Sequence, residues 1–294
     1  MSIRLDDAER FLWREARLID RLRAQVLLRG GAAESVVAAL RPYQNEDGGF
    51  GHALEPDLRG PVSQPQPVEV ALRILAEVGA REVDQRGAML QRVCDYLATI
   101  TTAEGGVPFV LPSVRAHPHA PWWETDDDPP ASLNPTAAIA GLLHQAGVAH
   151  PWLARATAYC WKGLAEVDLR DGYVLRSALL FLDHVPERGR AEETLKRVAE
   201  QMRARKLVAL DPAAGGHVHT PLDMAPAPTM LARRLFSDAQ IAAHLDALEA
   251  AQQEDGGWLV GWPAWTQTAG LEWRGWATVR ALAILRAYGR IAAG

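Results

Sequence analysis

Residues 44–50 read QNEDGGF, and residues 252–258 repeat the unit almost letter for letter as QQEDGGW. Shorter glycine-containing echoes occur at residues 103–107, 171–173 and 214–217. Each of these segments follows or interrupts a helical pattern, and paired glycines permit a tight turn that other residues resist. A unit that returns along a chain indicates a repeat architecture. The sequence therefore predicts helix pairs, each of which buries its apolar face only by packing on its neighbours.

Between these turns, apolar residues recur with the i, i+3, i+4 spacing of amphipathic helices. No alternating segment is long enough to predict a strand. The pattern predicts about eleven helices, at residues 6–28, 34–44, 67–78, 85–100, 135–146, 151–167, 173–182, 191–205, 229–235, 238–251 and 272–288.

The order of these helices predicts how they are arranged. Glycine turns follow the even-numbered helices, so that all turns and long loops are expected at one end. Odd-numbered helices are rich in small residues, as an inner ring requires, and even-numbered helices carry charged flanks, as an outer ring does. We therefore predict a single domain, residues 1–294, that forms an all-α, incomplete α6/α6 toroid with two concentric rings and a central cavity.

Composition narrows the possible partners. The chain has 294 residues, of which 48% are hydrophobic and 23% charged, as in soluble globular proteins. A net charge of -5 gives no reason to expect a nucleic-acid partner. No apolar run is long enough for a transmembrane helix, and no signal peptide is recognisable, so we expect a cytoplasmic location. The two cysteines, Cys94 and Cys160, fall in helical patterns and are expected to be buried thiols.

The unit at residues 44–50 and 252–258 resembles the QW-type repeat of the terpenoid cyclase and protein prenyltransferase superfamily. The resemblance implies an α/α toroid that holds a small-molecule, isoprenoid substrate in its cavity. In that superfamily the glutamine caps a neighbouring helix and the aromatic ring packs, and neither performs chemistry. The motif therefore predicts the fold and leaves the reaction to other residues.

The resemblance also implies a position for the acid that starts cyclisation in class II cyclases. The central aspartate of their DxDD-Thr-Ala motif corresponds here to Asn134, which cannot donate the proton. A nearby acidic run instead places Asp126 and Asp127 in a loop. If this loop covers the cavity mouth beside Trp122 and Trp123, burial and like charges would raise one carboxyl pKa, as a general acid needs. The alternative is a solvated acidic loop.

The loop after residue 50 is the densest polar cluster, with His52, Glu55 and Asp57, and Glu69 follows in the next helix. Glu55 and Asp57 are further candidates for catalysis, and His52 and Glu69 for substrate binding. A paired glutamate and aspartate near aromatic residues is also typical of a glycosidase or glycan-binding barrel, where two carboxylates divide acid and base work. A loop that merely braces the ring with internal salt bridges is the structural alternative.

Further candidates for substrate binding are the remaining clustered tryptophans and one acidic neighbour. Aromatic faces there could stabilise a carbocation or stack on a sugar. With Trp122, Trp123 and Asn134, these candidates are Trp262, Trp265, Glu272, Trp273 and Trp276.

Metal binding is not predicted. Two His-x-His pairs, His117/His119 and His217/His219, have a usable spacing but lack an evident third ligand. The zinc site of protein prenyltransferases needs an aspartate two residues before the cysteine that Cys160 would match, and Ala158 stands there. We therefore predict no cofactor, with zinc or magnesium as the ions that such a site would take.

Three functional hypotheses follow. The first is a terpenoid-cyclase-like enzyme with an apolar cavity, in which an acid starts the cyclisation of an isoprenoid. The second is a carbohydrate-active α/α barrel that uses paired carboxylates. The third is a non-catalytic toroid that binds a partner or a small molecule, which the asparagine at position 134 favours.

Overall fold

The computed structural model describes residues 3–79 and 84–292, and within these ranges the chain is all-α. The predicted fold class is therefore confirmed: α-helices and short 3-10 turns alternate with loops, and strand pairing is limited to isolated bridges in the described part. The helices are α1 (Leu5–Glu15), α2 (Leu18–Arg29), α3 (Ala33–Leu40), α4 (Pro65–Glu77), α5 (Asp84–Thr99), α6 (Leu133–Gln145), α7 (Pro151–Glu166), α8 (Gly172–His184), α9 (Arg188–Ala204), α10 (Pro221–Met224), α11 (Asp238–Ala250) and α12 (Gln267–Ala287). No helix among the described residues is long and apolar enough to cross a bilayer.

The first predicted helix is wrong, because residues 6–28 form two helices and not one. The backbone is extended at Ala16 and Arg17, with ψ angles of 157° and 155°. Arg21 Nε donates to the freed Ala16 carbonyl at 2.8 Å. A side-chain carbon at Gly275 of α12 would lie only 3.0 Å from Ala16 Cβ, so the bend is where α12 approaches most closely. Neither glycine nor proline marks this bend in the sequence.

The ninth predicted helix is also corrected. Residues 229–235 contain a 3-10 helix, Leu231–Leu235, instead of an α-helix. One turn of α-helix, α10, precedes it and is fixed by a capping box between Thr220 and Asp223. The prolines at residues 226 and 228 interrupt the chain between these two short elements.

The chain divides into two compact units, which we call the central unit (Val36–Gln201) and the terminal unit (the chain up to Ser35 and from Met202 onward). In the terminal unit, α1 and α2 pack on each other and on α12, and α11 packs on α10 and α12. In the central unit, α6 packs against α4, α7 and α8. The single-domain toroid stays a prediction.

Small side chains explain the close packing of α6 on α8. A side-chain carbon at Gly141 would come within 2.7 Å of the Leu180 carbonyl oxygen, so only glycine permits this approach. Ala137, Ala138 and Ala140 are also fully buried. The prediction that small residues mark the crowded helices is met at α6.

Three of the five predicted glycine turns share one backbone structure. These turns span residues 45–49, 102–106 and 253–257. The first residue of each turn donates its N–H to the carbonyl of the glycine that ends the turn, at 2.9, 3.0 and 2.8 Å. The carbonyl of the first residue accepts from an arginine side chain. The penultimate glycine has φ of 91°, 99° or 94°, which favours glycine. The pairs of first residue and arginine are Asn45 with Arg92, Thr102 with Arg155, and Gln253 with Arg4.

The glutamines of the two strong copies tie each turn to another part of the chain, whereas the QW-type repeat itself stays a prediction. Gln44 Nε2 donates to the Met89 carbonyl in α5 at 3.2 Å. Gln252 Nε2 donates to the carbonyl of Arg4, the residue that precedes α1, at 3.0 Å, and Gln252 Oε1 accepts from its N–H at 2.9 Å. The aromatic residues of both copies, Phe50 and Trp258, are buried. These residues therefore hold the fold together.

Candidate functional site

The acidic loop that contains Asp126 and Asp127 is solvated. Both side chains are exposed, and the Asp127 carboxylate is 93% exposed while paired with Arg115. The hydrogen bond and the charge of Arg115 hold the pKa of Asp127 below its ordinary value. A proton donor needs a raised pKa. Asp127 therefore has the opposite of the environment that the sequence-based hypothesis requires.

The two adjacent tryptophans before this loop face different surroundings. Trp123 is buried and stacks on Phe109, with ring centroids 4.9 Å apart and an interplanar angle of 21°. Its buried Nε1 has no hydrogen-bond partner among the described residues. Trp122 is exposed. Of this pair, only Trp123 is placed to shape an interior wall.

Glu55 and Asp57 lie together in the central unit and are removed from water. Their exposed fractions are 4% and 2%. Glu55 Oε2 accepts from the Asp57 N–H at 2.8 Å, which fixes the two residues in one turn of the loop. His52 is exposed and lies 2.9 Å from Asn45 Oδ1, so that it does not join this acidic pair. The structure thus brings together two of the four predicted catalytic carboxylates.

A second loop braces the Glu55–Asp57 turn from outside. The Ala120 N–H donates to the Asp57 carbonyl, and the Arg59 N–H to the Pro118 carbonyl, each at 3.0 Å. Within that second loop, His119 Nε2 lies 3.3 Å from Glu124 Oε1. Within residues 3–79 and 84–292, no group of three or more His, Cys, Asp or Glu is arranged to hold a metal ion.

A second polar group joins α4 to α8, and we call Gln66, Glu69, Arg73 and Arg176 the α4–α8 cluster. Glu69 is 3% exposed, and its Oε1 accepts from Arg73 Nε at 2.7 Å. Arg176 Nη2 from α8 lies 4.0 Å from the same oxygen. The structure therefore places Glu69 in a buried ionic environment.

Asn134 lies at the start of α6 and contacts Ser177, the residue that follows Arg176 of this cluster. Ser177 of α8 donates from Oγ to Asn134 Oδ1 at 3.3 Å, and both residues are buried. The Asn134 N–H is capped by Ser132 Oγ at 3.2 Å. An amide at this position can orient a ligand by hydrogen bonding but has no acidic proton to transfer.

Aromatic rings cluster in the terminal unit, as the sequence predicts. Trp262 and Trp273 meet edge to face, with centroids 5.2 Å apart and an angle of 84°. His217 meets Trp262 in the same way at 5.4 Å. Such contacts stabilise a rigid aromatic surface.

Trp276 has a different partner within the same unit. The fully buried guanidinium of Arg23 lies 4.0 Å from the Trp276 ring centroid, and Arg23 Nη1 pairs with Asp20 at 2.8 Å. This face of Trp276 therefore already carries a cation of the protein. Trp265 and Glu272 are half-buried. Trp265 Nε1 has no hydrogen-bond partner among the described residues.

The chain is similar in structure to solved structures of the type II terpene cyclase MstE from Scytonema. The similarity covers 98% of this chain and 96% or 97% of the cyclase chains. For three variant forms of that cyclase the TM-scores are 0.55, 0.54 and 0.53, at sequence identities of 15%, 14% and 15%. The chain has the fold of a type II terpene cyclase. The first of those structures holds merosterolic acid A as product, and the other two hold geranylgeranyl dihydroxybenzoate as substrate. No protein-family model and no curated protein matches the sequence.

Sequence reasoning found part of the buried polar group in this terpene-cyclase fold and missed the rest. Gln66, Glu69 and Arg73 have the i, i+3 and i+7 spacing of one helix face, so that the sequence could have indicated all three once Glu69 was chosen. Arg176 and Ser177 carry no such signal, because they reach the cluster from a helix far along the chain.

Proposed function

We propose that this chain is an enzyme of the terpenoid-cyclase type, which binds an isoprenoid substrate and starts its cyclisation by protonation. The observation that supports this most strongly is the fold, which is shared over 98% of the chain with a type II terpene cyclase. Structures of that cyclase hold a geranylgeranyl compound.

The buried pair Glu55 and Asp57 is the proposed source of the proton. Protonating an apolar chain requires a carboxyl group that is shielded from water, and burial disfavours the charged form of such a group. Both residues meet the condition of burial, whereas Asp126 and Asp127 are exposed. Trp123, which is buried in the same unit, is proposed as an apolar wall.

Two other predicted groups are given supporting roles. Asn134 and Glu69 are proposed to contact the polar end of the substrate through hydrogen bonds. The aromatic surface of Trp262 and Trp273 belongs to the terminal unit, and its predicted role in binding is kept as a separate proposal, since aromatic faces attract apolar and cationic groups.

The test is incubation with geranylgeranyl dihydroxybenzoate and geranylgeranyl diphosphate, followed by chromatography and mass spectrometry. We expect a product of unchanged mass for the benzoate. Asp57→Asn or Glu55→Gln should lower its rate of formation by about 100-fold or more, which is the usual contribution of a general acid. Asp126→Asn and Asp127→Asn are the matched controls, since these amides replace exposed carboxylates.

Two results would count against the proposal. If neither prenyl compound is converted, the chain is not this kind of enzyme, and binding without conversion would favour the non-catalytic hypothesis. If Asp127→Asn abolishes conversion while Glu55→Gln and Asp57→Asn do not, the acid has been assigned to the wrong loop. Circular dichroism of each variant separates lost chemistry from lost structure.

The carbohydrate-active hypothesis receives less support. Its mechanism needs two carboxylates on opposite sides of a bound sugar, about 5–10 Å apart. Glu55 and Asp57 instead lie in one turn of a single loop, where the Asp57 backbone N–H donates to Glu55 Oε2 at 2.8 Å, and both are buried.

A further inference from the structure

The α4–α8 cluster contains buried polar atoms that its own residues leave without hydrogen bonds. Among the described residues, Gln66 Nε2, Glu69 Oε2 and Arg176 Nε have no hydrogen-bond partner. Glu69 and Gln66 are at least nine-tenths buried, with exposed fractions of 3% and 9%. Unpartnered buried groups destabilise a fold, so that native proteins satisfy them with water, ions or ligands.

The geometry leaves Arg176 available to a ligand. Its nearest carboxylate oxygen, Glu69 Oε1, is 4.0 Å away and therefore beyond hydrogen-bond distance. Its guanidinium lies 5.4 Å from the ring centroid of Tyr173, and its side chain is 31% exposed. Glu69 already accepts from Arg73 at 2.7 Å. A guanidinium held beside a buried ion pair, with a free Nε–H, is a donor for an anionic oxygen.

We infer that the α4–α8 cluster binds the anionic head group of an isoprenoid ligand, either a carboxylate or a diphosphate. Arg176 Nε and Gln66 Nε2 donate to its oxygens, and where the head group is a dihydroxybenzoate, Glu69 Oε2 accepts from one of its hydroxyl groups. The inference rests on the proposed function, because the isoprenoid part of the ligand comes from there. It adds a head-group class and names Arg176 and Gln66 as specificity-determining residues.

The packing around the cluster supports a ligand of this kind. α6 lies against both α4 and α8, and its small residues leave room for long side chains of these two helices. Glu69 of α4 and Arg176 of α8 approach each other to 4.0 Å there. Asn134 and Ser177, the buried pair beside the cluster, are uncharged, so that they place no further carboxylate against an incoming anion. Arg73 orients Glu69 by their ion pair, which fixes the acceptor oxygen.

Binding measurements test the inference without requiring turnover. Isothermal titration would compare three probes with one prenyl chain: geranylgeraniol, geranylgeranyl dihydroxybenzoate and geranylgeranyl diphosphate. We expect at least one anionic probe to bind about tenfold or more tightly than the neutral alcohol, as charge-assisted hydrogen bonds imply. The anionic probe whose affinity responds to substitution in the cluster identifies the head group as carboxylate or diphosphate.

Arg176→Gln should weaken the anionic probe by about 10- to 100-fold and leave geranylgeraniol within about twofold. Arg176→Lys keeps the charge but loses Nε, so that an intermediate loss is expected. Gln66→Leu should cost about fivefold or more for the same probe. Arg170→Gln, which removes an exposed arginine of the central unit, is the matched control and should change nothing. Circular dichroism confirms folding, and Glu69 keeps Arg73 in all these variants.

The outcomes separate this inference from the proposed function. If geranylgeraniol binds as tightly as both anions, or if an anion preference survives Arg176→Gln and Gln66→Leu, the head-group site is refuted while the isoprenoid pocket stands. If none of the three probes binds, both are refuted.

Discussion

Replacing Gly48 with alanine should destabilise the central unit far more than replacing Gly147, although both glycines have positive φ angles. Gly48 has φ of 91°, and an added Cβ would lie 2.1 Å from the Arg92 carbonyl oxygen and 2.7 Å from its carbon. These atoms are main chain of α5, which cannot rotate away. Gly147 has φ of 69°, and nothing lies within 4 Å of its added Cβ.

The expected magnitude follows from two contributions. A left-handed backbone costs a non-glycine residue about 1–2 kcal/mol, and this applies to both variants. At Gly48 the turn must also move by more than 1 Å, judged against an ordinary contact of about 3.4 Å, and this breaks the hydrogen bonds that Gln44 and Arg92 make to Met89 and Asn45. At about 1 kcal/mol per bond, the total is about 3–4 kcal/mol for Gly48→Ala.

Thermal unfolding followed by circular dichroism would measure the difference. At about 2–4 °C per kcal/mol, we expect Tm to fall by about 10 °C for Gly48→Ala and by about 3 °C for Gly147→Ala. Equal shifts for the two variants would refute the reasoning, because the clash with α5 would then contribute nothing. A urea titration with unchanged m-value would confirm that stability, and not the extent of unfolding, has changed.

Three further predictions concern buried ionisable groups. Arg23→Ala should lower the free energy of unfolding by about 3–5 kcal/mol in urea titrations, because Arg23 forms a fully buried ion pair with Asp20. Arg10→Ala is the control, and because Arg10 belongs to an exposed ion pair it should cost less than about 1 kcal/mol. Burial lowers the pKa of His144, so that its contribution to folding stability is fully present above about pH 6.5 and declines as the pH falls. His144→Gln should therefore show a smaller decline in Tm under acid than the unchanged protein. An equal decline would contradict the assignment. Burial raises the pKa of Cys94 to about 12 and raises that of Cys160. Neither thiol should therefore react with iodoacetamide until guanidinium unfolds the chain. Prompt labelling of the native protein would count against their burial.

The glycine turns were predictable because their requirement is local. A positive φ and a close backbone approach can be met only by glycine, so the letters at residues 48 and 256 carry the structure directly. The echo at residues 103–107 forms the same turn without the glutamine, since Gly105 alone supplies the left-handed residue. The other two echoes differ: Asp171 instead caps α8 through Tyr173 N–H, and a Cβ on Gly216 would meet nothing.

The break between α1 and α2 was not predictable because its cause lies elsewhere in the chain. The apolar periodicity continues through Ala16, and no residue there resists a helix. At the break, Gly275 in α12 approaches Ala16, and Arg21 donates to the Ala16 carbonyl. Tertiary packing of this kind overrides local propensity, which is only a weak guide.

The candidate site shows how charge density in a sequence can mislead. Three consecutive aspartates at residues 126–128 look like a catalytic motif, but neighbouring like charges are stabilised mainly by water, and in the structure all three are exposed. A carboxylate whose neighbours along a helix are mostly apolar is buried with them, and it must then find partners. Glu69 is such a residue, and its burial brings Arg73 and Arg176 to it. In this chain an acid set among apolar residues, such as Glu69, was therefore a better guide to the buried polar groups than the acidic run was.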